Sequence, residues 1–329
     1  MDAHSQGNLF QNSQSEEADL EAQVGVSASS VRLKEWSYSR RETFEKCQRL
    51  YYYQYYGGSA RCAKADPLKQ KLRFLKGISN RYLRAGGIMH AAISCTLRAR
   101  ANGREWSSRF LLEFARKKCQ EDLAFSRAYK EGMPLSDELS GPALLMEIYY
   151  GMSETERLCR EVEEKLADAL QAFQTAAEYL PFRMGVDDGQ AKIESPISVK
   201  HKDITLRGKV DLAFRQNQRV NIVDWKMGKG DGGEDSLQLL FYALWAIQAF
   251  DCEPDEVDLY KAYLGDRTVS RYDFGPKAID RAKARIAQDT ERMRAVDEYG
   301  RNGLAIAFSP CGQERVCAGC VFQGVCPRE

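Results

Sequence analysis

Two aspartates and a lysine in the second half of the chain are spaced to do hydrolytic chemistry together. The segment from Leu206 to Lys226 reads as a β-hairpin, with the polar stretch Gln216–Arg219 as its natural turn. A turn centred between Asn217 and Gln218 places Asp211 directly across from Asp224. Like charges facing each other across an antiparallel pair repel, and a divalent cation is the simplest way to offset them. Strand alternation puts Asp224 and Lys226 on one face, with Val223 and Trp225 on the other. Two carboxylates, together with water and phosphate oxygens, suit Mg2+ or Mn2+. An amine beside them can position a water or stabilise developing negative charge. Taken alone, the triplet also fits a surface hairpin whose charges are solvated.

A second group is built from sulfur. Of the 10 cysteines, Cys317 and Cys320 form a CxxC pair, Cys326 follows after five residues, and Cys311 stands five residues before the pair. Thiolates at this spacing suit zinc or an iron–sulfur cluster. Neither a basic n-region nor an apolar h-region follows Met1, so the sequence predicts an intracellular protein, where disulfides are rare. Cys62, Cys95, Cys119, Cys159 and Cys252 are expected to be small buried apolar residues.

These groups need elements to position them. The composition of the 329 residues, 43% hydrophobic and 29% charged, excludes a fibre or a mostly disordered chain. The longest apolar run, Leu237–Phe250, is 14 residues with two glutamines inside it; that is too short to span a bilayer and reads as a buried helix. Net charge is +1, yet residues 31–119 hold 21 Lys+Arg against 6 Asp+Glu, and residues 131–190 hold 4 against 13. The near-neutral sum hides a basic section of the kind a phosphate backbone needs. Ser39-Arg40-Arg41-Glu42 has the form of a capping box and predicts a helix start. Helices are expected over 69–101, 106–130, 137–151 and 153–179. Strands follow over 191–200, 203–215 and 219–227, then a helix over 235–250, strands over 256–264 and 268–274, and a helix over 276–298. That order describes an α/β core with a helical section attached.

The motifs also have an order. Gly208-Lys-Val-Asp211, Asp224-Trp-Lys226 and Gln238-Leu-Leu-Phe-Tyr242 resemble the GxxD…(D/E)xK…QxxxY series of PD-(D/E)XK nucleases, specifically the RecB-like group. Gly86-Gly-Ile-Met-His90 resembles that group's upstream glycine–histidine motif. The resemblance implies a restriction-endonuclease-like core, a mixed central sheet flanked by helices, with a helical insertion. It implies His90, Asp211 and Asp224 as ligands of Mg2+ or Mn2+, and Lys226 as the catalytic lysine. Gln238 and Tyr242, at i and i+4 on one helix face, would help hold substrate and active site. Glu194, on the preceding strand, is a supporting candidate.

Cys317-x2-Cys320-x5-Cys326, with Cys47 far upstream, resembles the split four-cysteine site of AddB-type nucleases and of the CRISPR-associated RecB-like nuclease. There a 4Fe–4S cluster staples the two chain ends together. Tyr38-Ser-x7-Cys47-Gln-x2-Tyr51 resembles the N-terminal segment of that group, with Gln48 where relatives often have proline. Zinc accepts four thiolates equally well, and Cys311 could stand in for Cys47. The organisation that follows is a disordered acidic tail (1–30), a segment with the first cluster cysteine (31–68), a helical region carrying His90 (69–190), the nuclease core (191–300) and a C-terminal cysteine cluster (301–329).

The function implied is a metal-dependent DNA nuclease, a single-strand exonuclease in repair, recombination or defence. Arg40, Arg41, Arg49, Arg81 and Arg84 are candidate DNA contacts, the first three interleaved with tyrosines 51–56 on which bases could stack. The basic section Lys64–Arg109 is the better candidate for a DNA track. The other classes are a non-catalytic DNA-end-binding or assembly module, as in spacer acquisition beside an integrase, and a redox-responsive DNA-binding regulator. The chain has no GxxxxGK[ST] motif, so a helicase would be a separate partner.

Overall fold

The computed structural model describes residues 33–58, 66–136, 139–230, 236–272 and 274–327; the tail expected over 1–30 and Cys62 lie outside them. A short strand β1 (Glu35–Ser37) leads straight into helix α1 (Tyr38–Lys46). Ser37, with extended backbone, caps that helix by accepting from the Arg40 amide. The cap expected at Ser39 therefore sits two residues earlier. Cys47 then caps α2 (Gln48–Tyr52), which runs into a π-helical turn over Tyr53–Gly57. Tyr51, Tyr52 and Tyr53 are buried and pack on Phe308 and Phe322, so this part of the tyrosine run is core and not a stacking surface for bases.

The helix expected over 69–101 is two helices, α3 (Pro67–Lys76) and α4 (Arg81–Ala101). They separate because Asn80 caps α4 through the Leu83 amide, and because Ser79 bonds to the backbone of Leu144 and Met146. That same pairing holds residues 143–145 extended. Only one turn, α6 (Met146–Tyr149), forms where a helix over 137–151 was expected, after α5 (Ser108–Ala128). Helices α7 (Thr155–Thr175) and α8 (Leu180–Met184) complete the helical section.

Strands β2 (Lys192–His201), β3 (Ile204–Gln216) and β4 (Arg219–Lys226) form consecutive antiparallel pairs. Asn217 and Gln218 have φ 51° and 65°, the two left-handed residues of a tight hairpin turn. The β3–β4 pairs run from Leu212↔Val223 to Gln216↔Arg219, the register the turn position predicts. Helix α9 (Leu237–Phe250) then carries the chain to β5 (Val257–Tyr263), parallel to β4, and β6 (Thr268–Tyr272) follows antiparallel. The chain closes with α10 (Pro276–Arg301) and the short α11 (Glu314–Ala318).

One edge of β3 is shared, and this positions the site. Strand β2 runs along one edge; at Thr205–Arg207 the other edge pairs with β1, and from Leu212 onward it pairs with β4. The carboxyl ends of β1 and β4 thus point at each other across residues 208–211 of β3, which open a gap in the sheet. The sheet has a core on each face. Leu212, Phe214, Val223 and Trp225 pack with α4, α5 and α7, whereas Ala213, Val220 and Ile222 pack with α9 and α10. The result is a mixed central sheet flanked by helices. A Cβ at Gly208 would lie 2.5 Å from the Phe241 ring, so glycine is what lets α9 approach the gap.

Candidate active site and cysteine cage

Asp211 and Asp224 occupy the rung after the last β3–β4 pair. Backbone pairing stops there, and the Trp225 amide donates to Asp211 Oδ2 at 2.9 Å instead. Both carboxylates are buried, with 7% and 1% exposure. On the far side of β3, Glu194 falls between the pairs Ile193↔Leu212 and Ser195↔Val210, so it faces Asp211 from β2. Its φ of 48° is a left-handed conformation that costs a glutamate on the order of 1–3 kcal/mol. Three carboxylates therefore lie side by side on three neighbouring strands.

Helix α4 brings His90 over this row. His90 Nδ1 lies 3.4 Å from Glu194 Oε1 and 3.5 Å from Asp211 Oδ2. Lys226 Nζ sits 2.6 Å from Asp224 Oδ2 and donates to Gln238 Oε1 at 3.2 Å. Gln238 in turn donates to the Tyr242 hydroxyl at 2.8 Å. Lys209 pairs with Glu194. Val223 and Trp225 face the opposite core, as alternation requires.

The electrostatics describe an excess of negative charge. Burial pushes the Asp211 carboxyl up to about 7; His90 pulls against this, while Asp224 and Glu194 push further. Burial opposes a charged His90, yet Asp211 and Glu194 outweigh it and hold its pKa above the usual range. Lys226 is raised in the same way, with burial overcome by Asp224 and Asp211. The Tyr242 hydroxyl is raised by burial and by the same two aspartates, so it stays protonated.

His90, Glu194 and Asp211 each offer an atom within 4.8 Å of the others, and His90 Nδ1 is buried with no hydrogen-bond partner. An imidazole nitrogen and two carboxylates fit a divalent cation such as Mg2+ or Mn2+. The ligand set expected from the motifs was His90, Asp211 and Asp224. In the structure Glu194 stands beside His90, while Asp224 turns to Lys226. The sequence held a signal for this. The β2–β3 hairpin turns between His201 and Ile204, and counting back from that turn sets Glu194 across from Asp211.

The model of the PD-(D/E)XK nuclease superfamily matches residues 35–327. The chain belongs to the PD-(D/E)XK nuclease superfamily. No curated protein matches it. The solved structure of SSO0001 is similar over 55% of this chain and 80% of its own, at 16% identity and a TM-score of 0.29, too remote to bear on the site. Membership implies metal-dependent cleavage of phosphodiester bonds. Among the described residues, no helix is long and apolar enough to cross a membrane.

The arginines expected to contact DNA are engaged within this nuclease. Arg84 is buried, its guanidinium bonded to both oxygens of Asp122 (2.7 and 2.9 Å) and to the Gly141 carbonyl. Arg49 is buried against the Phe308 carbonyl at 2.7 Å. Both are structural residues, too enclosed to meet a phosphate. Arg81 pairs with Glu147 at 2.8 Å, and Arg41 lies 3.4 Å from Asp289. Arg40 donates to Tyr51 at 3.0 Å, near the Tyr56 hydroxyl that donates to Asp297. Arg41–Asp289 and Glu45 bound to Arg292 join α1 to α10 directly, and Arg40 reaches α10 only through the Tyr56 hydroxyl. The cations that do line the active-site cleft are Arg207, Lys209, Lys226 and Lys261, facing Tyr38, Ser39 and Glu42 at the start of α1.

The opposite end of α1 enters the sulfur-rich region. Cys47, Cys311, Cys317, Cys320 and Cys326 line one cavity, closed by the apolar Leu50, Tyr53, Pro310 and Val316. The Arg49 amide bonds to Ser309 O at 3.1 Å, and the Tyr150 hydroxyl to Val321 O at 2.6 Å, drawing distant segments around it. The Leu50 amide donates to Cys47 Sγ at 3.4 Å. Burial pushes the Cys320 thiol up to about 11, the Phe322 amide pulls it back, and the neighbouring cysteines push it further. Soft thiolate donors in an apolar setting fit a 4Fe–4S cluster or zinc. Of the other described cysteines, Cys159 and Cys252 are buried, while Cys95 and Cys119 are half-buried.

Proposed function

We propose that this chain is a DNA nuclease acting on single-stranded ends as an exonuclease, with a 4Fe–4S cluster in the cysteine cage. The observation that carries the reading is Lys226, fixed between Asp224 and Gln238 beside the His90–Glu194–Asp211 group. A divalent ion held by those three residues would polarise the scissile phosphate and lower the pKa of a bound water. Lys226 stays an ammonium, because Asp224 stabilises its charge. It therefore acts as a donor to developing negative charge on phosphate oxygen, and not as a base. Gln238 and Tyr242 fix the direction in which that ammonium points.

The preference for a single strand rests on depth. Asp211 and Asp224 are nearly inaccessible, and their neighbours Lys226, Gln238 and Tyr242 line a cleft whose other wall is Tyr38, Ser39 and Glu42 of α1. A flexible strand can be drawn in, whereas a stiff duplex cannot. The cations on the wall follow its backbone. In the cage, iron and sulfide would join the two chain ends, and damage there would fall on folding as much as on cleavage.

The test is cleavage of end-labelled single- and double-stranded DNA with Mg2+ or Mn2+ by wild type, Lys226→Ala and Asp211→Asn. Stepwise shortening of the single strand by wild type alone is expected. Equal cutting by all three removes the mechanism, and internal cuts in duplex remove the exonuclease reading. Iron, acid-labile sulfide and zinc analysis of the purified protein decides the cage, with zinc alone overturning the cluster.

A further inference from the structure

The active-site cleft does not end at α1. Ser39 and Glu42, one turn apart on the same face of that helix, border the cleft and also a second, larger cavity, of about 740 Å³ against about 410 Å³. From this junction the second cavity follows α1 past Thr43 to Lys46, bounded by the end of α3, the start of α4 and residues 319–322 beside the cage. Through the shared residues the two form one trough that begins at Lys226. Five charged side chains line its second part. Arg41 and Glu45 are engaged by α10, through Asp289 and Arg292. Lys46 and Lys76 are exposed, and among the described residues no carboxylate pairs with either. The fifth, Glu42, stands at the junction. The lining also carries the apolar Leu50, Ile78 and Leu83, the last 69% exposed.

We propose that this trough carries the DNA strand beyond the scissile phosphate, with Lys46 and Lys76 as phosphate contacts and Leu83 as a contact for a base. The inference rests on the reading of the chain as a nuclease for single strands, and it adds the course of the strand outside the cleft. Ammonium groups on two helices bordering one cavity neutralise successive phosphates of a backbone laid between them. An unstacked base gains by covering an exposed apolar side chain, whereas a duplex keeps its base faces stacked and has none to offer Leu83. Glu42 repels phosphate, so the backbone crosses the junction with one phosphate held by Lys226 and the next by Lys46. Both lysines also stand in the last turn of a helix, where a cation is favoured by the helix dipole. That interaction acts within each helix and gives no affinity for DNA. The contacts outside the cleft are therefore not the arginines, which the fold engages, but two lysines that it leaves open.

The experiment is fluorescence anisotropy of labelled oligothymidylates, from three to twelve nucleotides long, with full-length protein and no divalent ion added. Wild type is compared with the double Lys46→Gln/Lys76→Gln, with Leu83→Ala, and with Lys165→Gln as a control at an exposed lysine of α7. The melting temperature checks that each variant is folded. Wild type is expected to bind more tightly as the strand lengthens. The double variant should lose that gain, and its plot of log affinity against log salt should be shallower by about 1.4, ~0.7 for each phosphate contact removed. Leu83→Ala should bind more weakly with the wild-type salt slope. A lower melting temperature in the double variant with affinity and slope unchanged would assign the lysines to their helix ends alone and overturns the proposal. Equal loss in Lys165→Gln overturns it too, as does wild-type affinity that stays flat with length. Cleavage with Mg2+ or Mn2+, followed in parallel, separates the two readings. The expected binding without cleavage by wild type overturns the nuclease reading alone; cleavage by wild type with unaltered binding in the double variant overturns the trough alone.

Discussion

The acidic cleft and the cysteine cage lie at opposite ends of one short helix, and they solve opposite problems. The cleft gathers hard oxygen and nitrogen donors that repel one another: Glu194, Asp211 and Asp224 on adjacent strands. Their positions are imposed by a sheet that the rest of the core stabilises, and the backbone of Glu194 is strained to complete the row. The cage gathers soft donors from a short helix and loops that Phe308, Phe322, Arg49 and Tyr150 draw together, and its bound group would add to that stability. One region is held together in spite of its chemistry; the other would be strengthened by it. Removing a ligand should therefore change stability with opposite sign in the two regions.

The widest separation is expected at the cage. Cys317→Ser should lower stability by several kcal/mol, on the order of 5, since binding energy at such a site is folding energy. Thermal melts of metal-loaded protein measure it, and an unchanged melting temperature would erase the contrast. In the cleft, Lys226→Ala should cost about 10²–10³ in kcat, as removal of one well-placed donor to developing negative charge does, and should lower the melting temperature, because Asp224 is left buried without its partner. Asp211→Asn should abolish cleavage yet stabilise the chelator-treated protein, by on the order of 1 kcal/mol near neutral pH. The sign follows from the carboxyl being raised to about 7, which means its charge is a burden to the folded state. A lower melting temperature for this variant would show that the row of acids is not under mutual repulsion.

The smallest effect sets a baseline away from both regions. Asp258 accepts from Arg219 at 2.5 Å and from Arg271 at 2.7 Å, and these pairings hold its carboxyl below the usual range. A depressed carboxylate contributes stability that is present above its unfolded pKa and lost as pH falls through the folded one. The gap in melting temperature between wild type and Asp258→Asn should be steady near neutrality and close below about pH 4. A gap that widened in acid would contradict the pairing.

What the sequence made legible follows the same division. The β3–β4 register was readable because a tight turn fixes every pair behind it, and the helix expected over 235–250 is found as α9 over Leu237–Phe250. The edges of β2, β3 and β4 fall within a residue or two of the hydropathy pattern. The failures share a cause. Arg84 pairs with Asp122, 38 residues away, and Arg49 with Phe308, 259 residues away. A basic residue paired inside a fold looks the same in sequence as one waiting for a phosphate. The break at residues 77–80 and the extended stretch at 143–145 are likewise set by each other across the fold, so neither segment alone announces them. The left-handed backbone that turns Glu194 toward Asp211 has no signature in a strand-like run.

Helix α1 is nine residues long, which makes it a rod of about 14 Å. Tyr38, Ser39 and Glu42 at its head form the lip of the cleft, and Cys47 follows its foot directly into the cage. Arg41 and Glu45 tie this rod to α10, through Asp289 and Arg292. The cleft and the cage are thus joined through one short rigid element, without any lining residue common to both.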